Sequence, residues 1–360
     1  MQTIKAAICH EFGKDLVIED ITLRAPGSRE VEVTVEAVAI CHSDISYADG
    51  AWGGPLPAVF GHEAAGRISA VGAEVSGLQV GDKVVVTLIR SCQSCTPCCS
   101  GQPTRCTERY DQTQGPISCA DGSALAQGLD TGAFAQKLVV GAAQVVKLPK
   151  DIPSRVGCLL GCGVITGIGA VVNTARVRPG QNVVVIGAGG VGLNAIQGAR
   201  LAGAAHITAV DMSAEKLDMA REFGATAAVL ASDPTPWKAA YKAAGGGADA
   251  VFVTVGAIPA YDSAHRFLAP GGRIIAVGLP HSGEKAQYEP VVMGVLGQGI
   301  QASYMGDVVI SRDIPWMVEL YRQGRLKLDE LISGCWSFEE INDAIADTRT
   351  GAARRNVIVF

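Results

Sequence analysis

The stretch Asn182-Val-Val-Val-Ile-Gly-Ala-Gly-Gly-Val-Gly192 decides the fold of this chain. An apolar run of strand length leads into a glycine-rich loop, and residues 191–202 then favour a helix. The glycines follow the spacing G-x-G-x-x-G, with Gly190 as an additional glycine inside the loop. Gly187 permits a tight turn, Gly189 lets a pyrophosphate approach the backbone, and Gly192 lets the helix meet the strand. In this context the loop predicts dinucleotide binding.

Strands and helices continue to alternate after the loop. Strands are expected at 206–211, 227–230, 248–255 and 273–278, and helices at 214–223 and 260–268. This alternation predicts a doubly wound parallel sheet. Asp211 ends the second strand, where a carboxylate can hold both ribose hydroxyls and would repel a 2′-phosphate. The sequence therefore predicts NAD rather than NADP.

The N-terminal part has a different pattern. Residues 31–39 alternate between apolar and polar, residues 83–87 form a β-branched run, and two further such segments lie within 134–149. Short turns between alternating segments predict antiparallel strands. A terminal strand at 356–360 suggests that the last sixty or so residues return to the first domain. We therefore expect a catalytic domain over 1–163, a nucleotide domain over 164–303, and a return to the catalytic domain over 304–360.

Composition excludes several classes of protein. The 360 residues are 48% hydrophobic and 18% charged, which excludes a disordered chain. The net charge is −5 and aromatic residues make up 5%, so a nucleic-acid partner is not expected. No secretory leader is expected at the start. The uncharged stretch 156–175 contains five glycines and is interpreted as a buried segment rather than a membrane span, so the predicted location is the cytoplasm.

Eleven cysteines in a chain expected to be cytoplasmic indicate metal ligands or core residues rather than disulfides. Cys92, Cys95, Cys98 and Cys106 are spaced so that four thiolates can close a tetrahedral zinc site with no open position. Such a site stabilises a loop, here a lobe over residues 90–110, and performs no chemistry. Cys99 could replace Cys98 as the third zinc ligand, but the even spacing of the cysteines favours Cys98.

A second metal site is indicated by three ligands scattered along the sequence. Cys41, His62 and Cys162 would each, taken alone, more often be core residues than ligands. Each lies in a glycine-rich or otherwise distinctive context. Two thiolates and one imidazole leave a fourth position for water or substrate, which is the pattern of a catalytic zinc.

With both metal motifs and the glycine loop in this order, the sequence resembles the zinc-dependent medium-chain alcohol dehydrogenases over nearly its whole length. The stretch from Leu160 to Ala170 is similar to the branches that act on aromatic alcohols and on thiol–formaldehyde adducts. The resemblance implies an α/β protein with a β-rich GroES-like catalytic domain and a Rossmann domain. It also implies NAD, two Zn²⁺ ions per chain, and a small alcohol or aldehyde as substrate, with no membrane partner.

The resemblance also assigns roles to individual residues. Ser43 corresponds to the hydroxyl that takes the alcohol proton, Asp44 to the carboxylate that orients the zinc-bound histidine, and Glu63 to a glutamate that can approach the metal. The implied cofactor contacts are His42 and Arg355 at the phosphates, Lys216 at the adenosine ribose, and Thr166 and Val191 near the nicotinamide. The implied substrate pocket contains Trp52 and Leu88.

The implied reaction is hydride transfer from an alcohol, polarised by Zn²⁺, to NAD⁺. Ser46 departs from the pattern, because many members carry a histidine there that completes the proton relay. Water or His42 can take over that step. Arg90 is either a solvated loop residue or a contact for an anionic end of the substrate.

Several alternatives remain open. The preferred interpretation is an NAD-dependent dehydrogenase of primary alcohols, aromatic or allylic ones among them. A thiol-dependent formaldehyde dehydrogenase, a reductase of conjugated double bonds with an altered relay, and a non-catalytic zinc and nucleotide-binding protein are the others. The long segment from Cys106 to Phe134 favours a dimer over a tetramer.

Overall fold

The computed structural model describes residues 1–360, which form two compact units. Unit 1 comprises Met1–Cys162 and Val309–Phe360, and unit 2 comprises Gly163–Val308. The second boundary thus lies after the expected residue 303. The reason is local packing, because a Cβ on Gly169 would lie 2.5 Å from the carbonyl oxygen of Gly306, so the turn around Gly306 belongs with the helix of unit 2.

Strands occur in both units. In chain order they are β1 (Gln2–Cys9), β2 (Val17–Leu23), β3 (Glu30–Ala39), β4 (Ala58–Val59), β5 (Glu63–Val71), β6 (Lys83–Val86), β7 (Ile117–Cys119), β8 (Ala126–Gln127), β9 (Lys137–Gly141), β10 (Val145–Lys147), β11 (Asn182–Ile186), β12 (His206–Asp211), β13 (Ala227–Leu230), β14 (Ala248–Val253), β15 (Leu268–Ala276), β16 (Gly299–Ala302), β17 (Ile332–Ser337) and β18 (Arg355–Val359).

Helices also occur in both units. In chain order the α-helices are α1 (His42–Ala48), α2 (Thr96–Cys99), α3 (Ser154–Gly157), α4 (Gly163–Gly169), α5 (Gly190–Leu201), α6 (Ala214–Phe223), α7 (Pro236–Ala244), α8 (Ile258–Ala264), α9 (Pro290–Leu296), α10 (Ile310–Arg322) and α11 (Ile341–Arg349). After α4 the chain continues as a wider π-helical segment, Ala170–Ala175.

Unit 1 is built on two sheets. A five-stranded sheet has the order β7-β2-β1-β4-β8, and a seven-stranded sheet has the order β10-β6-β5-β3-β18-β17 with β9 also paired to β3. Most neighbours are antiparallel, as the alternating pattern predicted, but β4–β8 and β17–β18 are parallel. The last strand, β18, pairs with β3. The C-terminal segment therefore completes the sheet of the first unit, as expected.

Unit 2 contains one six-stranded sheet in which every pair is parallel. Its order is β13-β12-β11-β14-β15-β16. The first strand of the unit, β11, lies in the middle, and the chain winds outward from it in both directions, as the doubly wound prediction requires. The structure confirms β12, α6 and β13 at the predicted residues.

The uncharged stretch 156–175 is largely internal. Residues 156–171 are all buried. No single helix of the chain has the length and hydropathy needed to cross a membrane, and one bent pair, 154–161 with 163–175, meets that requirement by length and composition alone.

Candidate active site

The three scattered ligands of the sequence come together in unit 1. The ligand atoms of Cys41, His62, Glu63 and Cys162 all lie within 4.8 Å of one another, and all four residues are buried. Glu63 is the residue that the family resemblance implies can approach the metal. The structure puts its carboxylate among the potential ligands.

Local structure explains how each ligand reaches this point. Cys41 is the N-cap residue of α1, and His62 and Glu63 lie where the chain enters β5. The preceding Gly61 has φ +88°, and a Cβ there would lie 2.7 Å from Phe134, so only glycine fits. Gly161 is equally constrained, because its Cβ would lie 2.7 Å from Glu63 Cα. This close approach places Cys162 beside β5.

Asp44 organises two of the ligands. One carboxylate oxygen, Oδ1, accepts hydrogen bonds from His62 Nδ1 and from the Gly61 amide, both at 2.9 Å, while Oδ2 accepts from the Cys41 amide at 3.0 Å. With its proton on Nδ1, the imidazole presents the lone pair of Nε2. That atom is buried and has no hydrogen-bond partner. The arrangement orients a histidine ligand through a carboxylate, as in many zinc sites.

Charge is compensated within the same group. Arg355 is 5% exposed, and its Nη1 lies 3.4 Å from Glu63 Oε1. Burial raises the pKa of Glu63 to about 8, while the Arg355 guanidinium opposes the rise. A hydrogen bond joins the thiols of Cys41 and Cys162. It lowers the pKa of Cys41 well below its ordinary value and raises the pKa of Cys162.

These residues fit a Zn²⁺ ion. A buried imidazole nitrogen without a partner, two adjacent thiols and a carboxylate that accepts no hydrogen bond form the donor set that zinc prefers. Three of the donors, Cys41, His62 and Cys162, match a catalytic site that keeps one position open. Glu63 supplies a fourth potential donor, a carboxylate oxygen, close enough to compete for that position.

The second cysteine group closes around a different point of unit 1. Cys92 and Cys98 have their sulfurs 4.0 Å apart, as do Cys95 and Cys106. A regular tetrahedron with Zn–S bonds of about 2.3 Å has sulfurs about 3.8 Å apart, so the cluster matches four-thiolate zinc. Cys99 lies outside the cluster, exposed, with its thiol directed at the carbonyls of Gln93 and Ser94. The predicted choice of Cys98 over Cys99 agrees with this geometry.

The glycine loop of unit 2 has the shape that nucleotide binding requires. Gly187 has φ +99°, and a Cβ on Gly192 would lie 1.8 Å from the Gly187 carbonyl oxygen. A Cβ on Gly189 would meet nothing within 4 Å, so this glycine leaves open space in front of the backbone. Gly189 is also the N-cap of α5, and the amides of Gly190 and Val191 follow it in the first turn. A pyrophosphate fits this open helix N-terminus.

Asp211 lies at the carboxyl end of β12, beside this loop. Its Oδ2 accepts a hydrogen bond from the Ala188 amide at 2.7 Å, and its Oδ1 accepts one from the Ser213 amide at 3.0 Å. Ser213 in turn caps α6, where its hydroxyl accepts from the Lys216 amide. The glycine loop, Asp211 and the start of α6 are thus joined by hydrogen bonds, and the residues fit a dinucleotide.

Comparison with known proteins identifies the family. Residues 27–150 match the "Alcohol dehydrogenase GroES-like domain" and residues 190–323 match the "Zinc-binding dehydrogenase" family. Geraniol dehydrogenase of Castellaniella defragrans is 33% identical over 368 residues, which cover 99% of this chain and 97% of that protein. The chain is a zinc-dependent medium-chain alcohol dehydrogenase.

Other members of the family are equally similar. S-(hydroxymethyl)glutathione dehydrogenase of Komagataella pastoris is 34% identical over 373 residues, covering 99% of this chain and 97% of that protein. The crystal structure of benzyl alcohol dehydrogenase from Acinetobacter calcoaceticus superposes with a TM-score of 0.93 and 32% identity over the full length of both chains. This alcohol dehydrogenase therefore uses zinc and a nicotinamide cofactor on a small alcohol or aldehyde.

The dehydrogenase's own residues prepare the site for that chemistry. Cys41, His62 and Cys162 would hold Zn²⁺, which would supply a Lewis acid for the alcohol oxygen, and a bound nicotinamide would supply the hydride acceptor. Asp44 fixes the tautomer of His62. Arg355 lies beside Glu63 and opposes the rise in the pKa of that carboxyl caused by burial.

The remaining residues predicted for the alcohol dehydrogenase site are found in varied surroundings. Ser43 lies half-buried in the first turn of α1, and its neighbour His42 is exposed. Trp52 packs edge-on against Tyr47 at 5.0 Å between ring centroids, while Leu88 is half-buried. Thr166 is 8% exposed, and its hydroxyl donates to Met305 Sδ at 3.7 Å.

Two arginines of the dehydrogenase have surroundings that the sequence did not reveal. The Arg90 guanidinium lies over the Tyr110 ring at 3.9 Å, and its Nη1 donates to Gln144 Oε1. Arg355, assigned by resemblance to a phosphate, is buried beside Glu63 and also donates to the Ile40 carbonyl. No sequence signal pairs Arg355 with Glu63, because the two are almost three hundred positions apart.

Proposed function

We propose that this alcohol dehydrogenase oxidises primary alcohols with a flat unsaturated group, aromatic or allylic, to aldehydes with NAD⁺. The observation that carries the proposal is the buried set of Cys41, His62 and Cys162, in which Nε2 of the histidine has no partner. The substrate class is supported by two relatives of similar length, which are named for geraniol and benzyl alcohol.

A cluster of three aromatic side chains, close in sequence to Ser43 and His62, supports the same substrate class. Tyr47 contacts Trp52 edge-on and stacks on Phe60 at 6.0 Å between centroids. Tyr47 lies one helical turn after Ser43, and Phe60 lies two residues before His62. Ring faces next to these residues favour a planar substrate. Trp52 and Leu88 are accordingly proposed as pocket residues.

Ser43 is proposed as the group that accepts the alcohol proton. Ser46 stands in α1 where a relay histidine is expected, so the proton must leave by another route. His42 is exposed to solvent at the start of the same helix. We propose His42 or water for this last step.

A panel of alcohols tests the proposed substrate class. NADH formation is measured with benzyl, cinnamyl, geranyl, octyl and secondary alcohols, and with formaldehyde plus added thiols. Highest kcat/KM for the aromatic and allylic alcohols is expected. Activity only with formaldehyde plus thiol would instead support the adduct-oxidising alternative, which the similarity to S-(hydroxymethyl)glutathione dehydrogenase favours. Arg90 lends that alternative no support, because Tyr110 and Gln144 already engage it.

The proposed preference for NAD over NADP depends on Asp211. Its carboxylate is held in place by the amides of Ala188 and Ser213, so a 2′-phosphate would meet a fixed negative charge. Asp211→Gly is expected to lower kcat/KM for NAD⁺ and raise it for NADP⁺. An unchanged ratio of the two values would refute the assignment.

We further propose two zinc ions per chain. The support is the presence of two separate ligand groups, one closed by four sulfurs and one with three protein donors and a nearby carboxylate. Metal analysis of the purified protein by mass spectrometry should give two zinc atoms per chain, and Cys41→Ala should give one. A value of one for the unaltered protein would contradict the proposal.

A dimer is proposed from the edge of the sheet in unit 2. β16 is an edge strand, and residues 290–302 contain no charged side chain. Val291, Val295 and Ile300 are 71%, 81% and 50% exposed. An apolar edge of this kind favours pairing with a second copy. Light scattering should show a dimer for the unaltered chain and a shift toward monomer for Val295→Lys, and a monomeric unaltered chain would contradict the proposal.

A further inference from the structure

A strained turn in unit 2 has no role in the function described so far. Met305, Gly306 and Asp307 are three successive residues with left-handed backbone, at φ +50°, +67° and +48°. Glycine adopts this conformation readily and aspartate tolerates it, but for methionine it is unfavourable. Three such residues in a row persist only where the surroundings hold them.

A group of polar side chains provides that hold. The Thr174 hydroxyl lies 2.7 Å from Asp307 Oδ2 and 2.7 Å from the Ser303 hydroxyl. Because an ionised carboxylate can only accept, Thr174 donates to Asp307 and accepts from Ser303. Asn173 adds a hydrogen bond from its amide to the Gly306 carbonyl at 3.2 Å. Thr174 and Ser303 are both buried, so water does not replace these bonds.

The held turn packs against the helix that carries Thr166. A Cβ on Gly306 would lie 2.4 Å from the carbonyl oxygen of Ile165, and a Cβ on Gly169 would lie 2.5 Å from that of Gly306. The Thr166 hydroxyl donates to Met305 Sδ. The turn and the helix are therefore in close backbone contact at Gly306 and Gly169, and a hydrogen bond joins Met305 to Thr166.

We infer that Thr174 and Asp307 are positioning residues for the nicotinamide end of the cofactor. Through the left-handed turn they fix Met305 and hence Thr166, the residue assigned to the nicotinamide. The inference rests on the proposed function with NAD⁺, and on the nicotinamide contact that the family resemblance implies for Thr166. Neither residue needs to touch the cofactor, so their loss should affect the nicotinamide end more than the adenosine end.

The test compares NADH with ADP-ribose, which lacks the nicotinamide. Thr174→Val keeps the side-chain volume and removes both hydrogen bonds, and Thr174→Ser keeps the hydroxyl. Calorimetric titration should show about tenfold weaker binding of NADH to the valine variant. The free energy of one hydrogen bond to a charged group corresponds to a change in affinity of about that size. Its affinity for ADP-ribose should stay within about twofold of the unaltered value, and the serine variant should bind both ligands normally.

A second pair of variants guards against a folding failure of Thr174→Val. Asp307→Ala removes the acceptor, whereas Asp307→Asn keeps an oxygen acceptor and tolerates the left-handed backbone. The alanine variant should show the same selective loss and the asparagine variant should not. Equal weakening of both ligands, or no weakening of either, in the variants that fold would overturn the inference. If the unaltered protein binds NADPH but not NADH, the Asp211 assignment fails separately, and the comparison is made with NADPH and 2′-phospho-ADP-ribose.

Discussion

At the scale of single residues, Asp44 shows how one carboxylate sets the properties of a neighbouring ligand. It is 2% exposed and accepts hydrogen bonds from two backbone amides and from His62. A buried negative charge is costly unless it is satisfied in this way. The same bonds hold Cys41 and His62 in place relative to each other, so Asp44 supports the geometry of the candidate metal site.

Asp44→Asn is therefore expected to lower the zinc affinity of the candidate catalytic site by about 10- to 100-fold, because an uncharged amide no longer fixes the tautomer of His62. The measurement is the zinc retained per chain after dialysis against graded chelator. Asp49→Asn is the matched control, since that carboxylate pairs with Arg349 outside the site. Equal zinc retention in both variants would show that Asp44 does not support the ligand.

At the scale of elements, two glycines in the loop between β11 and α5 have different roles: Gly192 permits close packing, and Gly189 leaves space for the cofactor. Gly192→Ala would place a Cβ 1.8 Å from a backbone oxygen that cannot move aside, whereas Gly189→Ala adds a methyl in open space. We expect Gly192→Ala to destabilise the protein by about 3 kcal/mol. Gly189→Ala should melt within about 3 °C of the unaltered protein and still bind NADH weakly.

Thermal unfolding with and without NADH distinguishes these two effects. The unaltered protein should gain stability with NADH, and Gly189→Ala should gain much less at the same concentration. Full stabilisation of the Gly189→Ala variant by NADH would contradict the role of that glycine. A normal melting temperature for Gly192→Ala would contradict the packing argument.

On the strands of unit 1, the carboxylate of Glu32 makes a contribution to stability that is expected to depend on pH. Glu32 on β3 accepts hydrogen bonds from Ser69 at 2.7 Å and from Lys137 at 2.9 Å. Burial opposes ionisation, but these bonds prevail and hold the pKa of Glu32 below its ordinary 4.5. Because the folded pKa lies below the unfolded one, the carboxylate stabilises the fold above pH 4.5 and loses that effect as the pH falls through the lowered value.

Glu32→Gln should consequently lower the melting temperature by about 3 °C at neutral pH, and the difference should shrink as the pH falls below about 4.5. Calorimetric scans between neutral and acidic pH check this. Glu74→Gln is the control, because that carboxylate is 64% exposed and its ion pair with Arg29 is long. A difference for Glu32→Gln that is independent of pH would mean that its charge is irrelevant.

At the scale of the whole molecule, the two metal sites are expected to act independently. Cys95→Ser removes one ligand of the four-sulfur site and should reduce the zinc content by one atom per chain. It should also lower the melting temperature by several degrees, because a closed zinc site contributes folding energy directly. Cys99→Ser is the matched control, since that thiol lies outside the cluster. Loss of both metals from Cys95→Ser would show that the two sites are coupled.

Repeating patterns made much of the fold predictable from the sequence. The order of strands and helices in unit 2 followed from alternating segments, and its glycine spacing indicated the loop before α5. Boundaries were less exact where tertiary contacts decide them. β14 ends at Val253 rather than 255, and unit 2 extends through Met305–Asp307 because that turn packs on the helix containing Gly169.

The sequence by itself determined the four-cysteine motif, the nucleotide loop and the alternation of elements, because each depends on residues at short, fixed spacing. The set of Cys41, His62 and Cys162 is scattered along the chain, and the structure brings its members together. Tertiary structure alone decided which groups meet across long separations. It placed Arg355 beside Glu63, engaged Arg90 with Tyr110, and held the turn at Asp307 through Thr174. Such contacts leave no local pattern, since they depend on how the chain is packed rather than on which residues are neighbours in it.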